Sequence, residues 1–179
     1  TLKNIGDEHI DILIKIAGSI IQCYKNNKKV VLFGNGGSAA DAQHIAAELV
    51  GRYMMERRSL PAIALNVNTS VLTAIANDYH YDRVFERQVE GLVNQGDVVI
   101  GLSTSGNSEN VIRAIKGAEG KGARTIAFTG KGGGKLKEVA DIVFEAPSSN
   151  TPRIQEIHIT AGHIICDLVE QTLFGNNDA

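Results

Sequence analysis

Cysteine is scarce in this sequence. Cys23 and Cys166 are the only two among 179 residues, and each lies within an apolar pattern of helical spacing. That pattern indicates buried thiols in a reducing compartment rather than a disulfide scaffold. Long apolar runs are also missing, because no stretch approaches the roughly 18 residues that span a bilayer. The first residues, Thr1 to Asn4, lack the apolar core of a signal peptide. We therefore expect a cytoplasmic protein with no membrane partner.

An excess of charge of either sign is absent as well. The formal net charge is -2, which provides no basic field for phosphate backbones or anionic lipids and so excludes nucleic acid and membrane surfaces as main partners. Hydrophobic residues at 43% and charged residues at 21% are typical of soluble globular chains. The length fits a single domain over residues 1–179. Small solutes remain as the expected ligands.

Two apolar spacings alternate along the chain. From Ile5 to Tyr24 apolar residues recur at helical spacing (Ile10, Leu13, Ile14, Ala17, Ile20, Ile21), which predicts an amphipathic helix that packs on another element. Short apolar runs predict five strands, and a final helix is expected from about Arg153 to Leu173. The strand runs are 30–33, 62–65, 98–102, 125–128 and 142–144. Strands that are apolar on both faces and separated by helices predict an α/β fold with a covered parallel sheet.

A serine-rich turn follows the third predicted strand and precedes a helix. It consists of Ser103, Thr104, Ser105, Gly106, Asn107 and Ser108. Free backbone N–H groups at the helix start, the positive end of the helix dipole and several hydroxyls can together hold a phosphate without a cation. The alternative is an ordinary N-cap at Ser108, which would need only one of these hydroxyls. We predict that this turn binds a phosphorylated small molecule.

A glycine-rich turn, Gly34-Asn35-Gly36-Gly37-Ser38-Ala39-Ala40, follows the first predicted strand and matches the loose dinucleotide pattern G-x-G-x-x-A. Dinucleotide binding also requires an acidic residue about 20 positions further on, at the end of the second strand. That strand ends at Ala64-Leu65-Asn66 without a carboxylate. The glycines are therefore better interpreted as letting the backbone approach another small ligand closely.

Polar side chains on two predicted helices could form a second site. His44 and Glu48 are spaced i, i+4, with Arg52 one turn further, and Gln155 and His163 lie within about 80 degrees of one another on the last helix. A solvated charge stripe is the alternative interpretation. If the helices meet, two imidazoles, a carboxylate and an amide oxygen form a ligand set that zinc accepts. Glu48 and His163 would equally suit the proton transfers of aldose–ketose isomerisation.

Asn77 and Asp78 end the apolar run Leu72-Thr73-Ala74-Ile75-Ala76. Their side chains could bind the hydroxyls of a substrate. They could equally cap a helix, and the sequence pattern does not favour either role.

Four motifs in order resemble the sugar isomerase (SIS) domains, and within them the phosphoheptose isomerases that act on sedoheptulose 7-phosphate. The resemblance covers nearly the whole chain. It rests on Gly34-Asn35-Gly36-Gly37-Ser38-Ala39-Ala40-Asp41-Ala42-Gln43-His44, Ala74-Ile75-Ala76-Asn77-Asp78, Ser103-Thr104-Ser105-Gly106-Asn107-Ser108, and Arg153-Ile154-Gln155-Glu156 followed by His163.

The resemblance implies a doubly wound, flavodoxin-like sheet of five parallel strands and a homotetramer with sites between subunits. The N-terminal amphipathic helix would pack against another subunit, and the turn from Ser103 to Ser108 would hold the substrate phosphate, with Ser103, Thr104, Ser105 and Ser108 as contacts. Further substrate contacts are implied at Asn35, Gly36, Gly37, Ser38, Glu48, Arg52, Asn77, Asp78 and Gln155.

The implied reaction converts sedoheptulose 7-phosphate into D-glycero-D-manno-heptose 7-phosphate through an enediol, the first step towards the heptoses of bacterial surface glycans. Glu48 and His163 are the implied catalytic residues. In zinc-containing members the metal ligands correspond to His44, Glu48, Gln155 and His163, one ion per subunit.

Two alternatives belong to the same fold family. One is a non-catalytic SIS protein that binds the replication initiator, and the other is a SIS hexose-phosphate isomerase or sugar-phosphate sensor. The presence of both Glu48 and His163 favours an enzyme.

Overall fold

The computed structural model describes residues 5–175 as an alternation of strands and helices. The strands are β1 (Val30–Gly34), β2 (Ala62–Ala64), β3 (Val98–Ser103), β4 (Arg124–Thr129) and β5 (Ile142–Glu145). The helices are α1 (Asp7–Lys25), α2 (Gly37–Val50), α3 (Thr69–Asp78), α4 (Glu86–Leu92), α5 (Glu109–Gly120) and α6 (Thr151–Phe174). Short 3-10 helices lie at Tyr81–Arg83 and Gly134–Glu138.

The five strands form one parallel sheet in the order β2-β1-β3-β4-β5. The two halves of the sheet run outwards from β1 and β3, so the order reverses between these two central strands, as in doubly wound folds. The predicted α/β class with five parallel strands is confirmed. Every predicted strand lies within one residue of the observed bounds, because each run is apolar on both faces and flanked by turn residues.

Successive residues of each strand point to opposite faces, so the sheet carries two apolar cores. On one face Leu32, Ile100 and Phe128 pack under α1, α2 and α6. On the other face Phe33 and Val99 pack with α4 and α5. Cys23 and Cys166 belong to the first core as free, buried thiols, which confirms their predicted burial.

Helix α1 packs against α6 and β5 through one side only. Leu13, Ala17 and Ile20 are buried there, as predicted, whereas Ile10 and Ile14 are 49% and 55% exposed. The helical spacing was therefore correct, but two of its apolar positions face away from the core of this chain. The helix presents a second apolar surface, which we call the Ile10/Ile14 patch.

Helix α2 is shorter than the sequence pattern suggested. It ends at Val50 with Gly51 as its C-cap, so the prediction that Arg52 continues the face of His44 and Glu48 by one more turn is wrong. Glycine ends helices readily because its backbone is unrestricted and it has a poor helix propensity. No helix among residues 5–175 is long and apolar enough to cross a membrane.

Candidate functional site: a pocket between two turns and a histidine–glutamate cluster

The turns after β1 and β3 enclose a pocket of about 290 Å³ at the carboxyl edge of the sheet. Parallel strands direct their carboxyl ends to one edge, and the reversal of strand order between β1 and β3 opens a crevice there. The pocket thus lies between the two turns at which the sequence predicted a small ligand. It is lined by Asn35, Gly36, Gly37, Ser38, Leu102, Ser103, Thr104, Ser108, Thr151 and Gln155.

The serine-rich turn directs hydroxyls towards one another at the start of α5. Ser103 Oγ lies 2.9 Å from Ser108 Oγ and 3.5 Å from Ser105 Oγ. Ser108 occupies the N-cap position, but its side chain makes no capping hydrogen bond. Ser108 is therefore the N-cap residue by position, as the alternative interpretation expected. Its hydroxyl does not cap the helix, however, because it is hydrogen-bonded to the Ser103 hydroxyl at the pocket.

A glycine-rich loop, 130–134, presses against the serine-rich turn. Gly106 has φ +66, and a Cβ built there would lie 2.0 Å from the Gly133 carbonyl oxygen. The backbone N–H of Leu136 donates to the Gly106 carbonyl at 3.0 Å, and that of Lys135 donates to Asn107 Oδ1 at 3.1 Å. Backbone contacts thus fix the shape of the turn, and only glycine fits at position 106.

The glycines of the first turn allow a different close approach. Gly36 has φ +56 and is the N-cap of α2, and a Cβ on Gly37 would lie 2.3 Å from Gln155 Nε2. The amide of Gln155 therefore lies directly against the backbone of Gly37. This contact brings the start of α6 to the pocket, as the predicted role of Gln155 requires.

The third part of the site is a cluster on the facing surfaces of α2 and α6. His44 Nε2 lies 3.1 Å from Glu48 Oε1 and 3.0 Å from His163 Nε2. These three residues offer ligand atoms within 4.8 Å of one another, so they could hold a metal ion. The condition that α2 and α6 meet is thereby fulfilled. The ring of Tyr53 stacks on His163 at 5.5 Å between centroids.

A buried ion pair connects the helices that carry this cluster. Arg57 and Glu170 have side chains only 1% exposed, and Arg57 Nε donates to Glu170 Oε1 at 2.9 Å. The remaining Arg57 nitrogens donate to carbonyls at the end of α2, including those of Glu48 and Leu49 at 2.8 Å. The pair therefore holds the end of α2 against α6. The backbone N–H groups of residues 53–55 also donate to the Glu170 carboxylate at 2.7 to 2.9 Å.

Two carboxyl groups near the cluster have shifted pKa values. Burial alone would raise the pKa of Glu170, but the backbone N–H groups and Arg57 outweigh burial and hold that pKa below its ordinary value. Asp41, one turn before His44 on α2, has its pKa raised to about 6 by burial, which His44 opposes only in part. The ion pair and the backbone N–H groups thus keep Glu170 ionised, whereas the raised pKa of Asp41 means that this carboxyl titrates at about pH 6.

Some predicted residues lie away from the pocket. Arg52 is exposed, and its Nε lies 3.7 Å from Glu56 Oε2. Asn77 and Asp78 are the last residues of α3, are exposed, and bond to one another at 2.9 Å. Within residues 5–175 of one chain these three side chains are not part of the pocket lining.

Other residues at the site were not identified from the sequence. Thr151 lines the pocket because α6 begins there, one residue after its N-cap Asn150. Asn110 bonds to Asn35 across 75 positions of sequence, and Tyr81 bonds to the same side chain. An N-cap signal at Asn150 could have indicated Thr151, but only the fold brings Asn110 and Tyr81 to Asn35.

The parallel sheet, the two turns that line the pocket at its carboxyl edge and the cluster between α2 and α6 define a class of proteins. The family model described as "SIS domain" matches residues 1–130, so the chain belongs to the SIS domain family.

Comparison with individual proteins is more specific. The phosphoheptose isomerase of Aquifex aeolicus is 61% identical over 89% of this chain and 83% of its own length. That of Nitratiruptor is 62% identical over 85% of this chain and 81% of its own length. The structure of phosphoheptose isomerase from Neisseria gonorrhoeae has a TM-score of 0.86 at 45% identity, covering 90% of this chain and 86% of that one. The resemblance to phosphoheptose isomerases inferred from the motifs is confirmed.

Proposed function

We propose that this chain, as a single domain over residues 1–179, is a phosphoheptose isomerase that converts sedoheptulose 7-phosphate into D-glycero-D-manno-heptose 7-phosphate. The observation that carries this proposal is the identity of 61% and 62%, over most of both chains, to proteins named for that activity. The retention of Glu48 and His163, side by side with His44, supports catalysis rather than binding alone.

The pocket suits the phosphate end of such a substrate. Ser103, Thr104 and Ser108 line it at the start of α5, where a helix offers free N–H groups and a positive dipole. Hydroxyl and N–H donors of this kind hold a phosphate by hydrogen bonds without a paired cation. Gln155 in the pocket and His163 in the cluster lie eight residues apart on α6, about 12 Å along the helix axis. The reacting end of an extended sugar phosphate would therefore point from the pocket towards the cluster.

The chemistry requires a base and a proton donor. In the proposed mechanism, the Glu48 carboxylate removes a proton from C1 of the ketose, which gives an enediol, and returns it to C2 to form the aldose. His163 supplies a proton to the C2 oxygen and accepts one from the C1 hydroxyl. Tyr53 stacks on the His163 ring and limits its orientation, which favours a fixed proton donor.

The same cluster fits a metal ion by its donor set. We propose one zinc per subunit, held by His44, Glu48, Gln155 and His163. The imidazole nitrogens and the carboxylate of three of these residues converge within 4.8 Å in the described structure, whereas the Gln155 amide lies against Gly37 and would have to turn towards the cluster to act as the fourth ligand. When bound, such an ion would supply Lewis-acid polarisation of the substrate oxygens. A Glu48 carboxylate engaged as a ligand is a poorer free base, so ligand and base roles compete at this residue.

We propose a homotetramer with sites between subunits. Two observations support it: the Ile10/Ile14 patch is apolar and exposed, and Asn77, Asp78 and Arg52 lie outside the pocket of their own chain. A second copy could bring such side chains to a neighbouring pocket. A cytoplasmic location and a role in supplying heptoses for lipopolysaccharide or capsule belong to the same proposal.

Turnover of sedoheptulose 7-phosphate tests the function directly. The purified chain should form the aldose 7-phosphate, measured by chromatography, and a chelator should lower the rate if zinc takes part. The absence of aldose product under every metal condition would reject the isomerase function. A hexose phosphate assayed in parallel distinguishes a phosphoheptose isomerase from a hexose-phosphate isomerase, because only the latter would convert the hexose phosphate faster than the heptose phosphate.

A substitution at Glu48 tests its role in proton transfer. Glu48→Gln should lower kcat by about 100- to 10,000-fold, the range typical of general acid–base groups, while substrate still binds, as measured by calorimetry. Glu119→Gln, at an exposed position on α5, is the matched control and should retain activity. Unchanged turnover in Glu48→Gln would remove this residue from the mechanism.

A further inference from the structure

A pair of amide side chains joins the two turns of the pocket. Asn35 Nδ2 donates to Asn110 Oδ1 at 2.9 Å, and Asn110 Nδ2 donates back to Asn35 Oδ1 at 2.9 Å. The Tyr81 hydroxyl donates to the same Asn35 Oδ1 at 3.1 Å. Asn110 lies in the first turn of α5 and is only 4% exposed. Water therefore competes little for its hydrogen bonds, and the orientation of the Asn35 amide is fixed.

The hydrogen-bonding capacity of Asn35 is almost used up by these contacts. A carboxamide has one oxygen with two lone pairs and one nitrogen with two hydrogens. Asn110 and Tyr81 occupy both lone pairs of Asn35 Oδ1, and Asn110 accepts one of the two N–H groups. One Nδ2–H remains. Since Asn35 lines the pocket, its side chain can offer a ligand a donor but no acceptor.

We propose that Asn110 and Tyr81 are positioning residues that present Asn35 to the substrate as a hydrogen-bond donor only. The matching substrate group is an oxygen that accepts, either a phosphate oxygen or the oxygen that gains negative charge as the enediol forms. A donor fixed in advance costs no reorganisation during the reaction, which is the condition for electrostatic stabilisation of developing charge. The proposal rests on the isomerase function above and adds two residues to its site.

A double-mutant cycle tests whether Asn110 acts through Asn35. Asn110→Leu keeps the branched shape and removes the amide, and it should lower kcat/KM roughly 10- to 100-fold, as expected when one or two site hydrogen bonds are lost. In an Asn35→Ala background the same change should alter kcat/KM by less than about threefold, because the side chain it orients is already gone. Equal losses in both backgrounds would overturn the proposal.

Two further variants test the donor role and guard against a folding failure. Asn35→Asp has nearly the same shape but cannot donate, so it should lose at least about 10-fold in kcat/KM; a variant that retained wild-type kcat/KM would contradict a donor role. Tyr81→Phe removes only an exposed hydroxyl and should fold in any case, with a loss of about two- to tenfold. If Asn110→Leu does not fold, Tyr81→Phe replaces it in the cycle with Asn35→Ala, and the same additivity criterion applies.

A control separates positioning from general stability. Gln88→Leu removes another buried amide of the same helical layer, which donates to the Leu65 and Val84 carbonyls and is not part of the pocket lining. This change should lower the unfolding temperature and leave kcat/KM unchanged. A kcat/KM loss in Gln88→Leu equal to that in Asn110→Leu would mean that buried amides act only through the fold, and would overturn the proposal.

The identity of the accepting oxygen follows from inhibition by inorganic phosphate. If Asn35 donates to the reacting end, Asn110→Leu lowers kcat and leaves the phosphate inhibition constant unchanged. If Asn35 donates to the phosphate group, that constant rises together with KM. A wild-type chain without any turnover would instead reject the isomerase function itself, so the two failures are distinguishable.

Discussion

His158 is a fully buried imidazole in α6. Its Nε2 lies 3.0 Å from the Thr129 carbonyl, so that nitrogen carries the proton and donates, while Nδ1 finds no partner among residues 5–175. Burial lowers the pKa of His158 to about 4, and the hydrogen bond to Thr129 opposes this only in part. The residue is therefore neutral in the folded protein at physiological pH.

The depressed pKa of His158 predicts a pH dependence of stability. As the pH falls from about 6.5 to about 4, His158 is protonated in the unfolded chain but remains neutral in the folded chain. The free energy of unfolding should therefore decrease by on the order of 3 kcal/mol as the pH is lowered through this range. His158→Gln keeps a donor for the Thr129 carbonyl and should abolish this contribution to the pH dependence of the free energy of unfolding. Urea unfolding at several pH values measures it, and identical slopes for wild type and variant would contradict this account.

Gly106 predicts a second effect at the scale of one residue. Gly106→Ala would force a Cβ against the Gly133 carbonyl oxygen and strain a backbone at φ +66, so the serine-rich turn must move. We expect substrate KM to rise at least about 10-fold and stability to fall by about 1–3 kcal/mol. Gly120→Ala at the end of α5, where a Cβ meets nothing within 4 Å, is the matched control. Equal KM values in both variants would show that the turn tolerates the shift.

At the scale of elements, the Arg57–Glu170 pair joins α2 to α6. Glu170→Gln should destabilise the fold by about 3–5 kcal/mol, because it leaves a buried guanidinium uncompensated. Replacing both residues with apolar ones should not restore stability, since the backbone N–H groups of residues 53–55 also depend on the carboxylate. Denaturant midpoints measure both changes. Recovery of wild-type stability in the double variant would contradict this expectation, because the destabilisation by Glu170→Gln would then come only from the unpaired Arg57 charge.

The elements that the sequence predicted well are those with a strong local pattern. The strands were found because each is a short apolar run bounded by turn residues, and the end of α6 because Gly175 is a usual helix stop. The start of α6 was predicted at about Arg153, two residues after the observed start at Thr151. The end of α2 was missed, since i, i+4 spacing at Arg52 was extended past Gly51. Helical spacing predicts which residues share one side of a helix, but the glycine at its C-terminus determines where the helix ends.

The candidate site was predictable only where its residues are close in sequence. The serine-rich turn and the pair of His44 and Glu48 are local, so their residue types indicated a role. Asn110 and Tyr81 are distant from Asn35 in sequence, and a lone asparagine or tyrosine has many uses. Their contribution required the pairing of β1 with β3, which brings the two turns together.

At the scale of the whole molecule, the Ile10/Ile14 patch predicts assembly. Ile10→Ser/Ile14→Ser should shift the proposed tetramer towards smaller species, because each isoleucine buried in an interface contributes roughly 1.5–3 kcal/mol. Light scattering after size exclusion measures the mass, and circular dichroism should show an intact fold since both side chains are exposed in one chain.

The control for assembly lies on the opposite layer. Leu92→Ser changes a side chain of α4 that is 42% exposed, and it should leave the mass unchanged. An unchanged mass in the Ile10/Ile14 variant would mean that α1 does not carry the interface. Loss of isomerase activity together with loss of mass would further support sites formed between subunits.

The packing of α1 against α6 also has a consequence for biosynthesis. These are the first and last helices described, so the ribosome completes α1 long before its partner exists. At elongation rates of about 5–20 residues per second, the wait is roughly 10 seconds. During that interval both apolar surfaces of α1 are uncovered on the nascent chain, so they are open to non-native contacts before α6 is made.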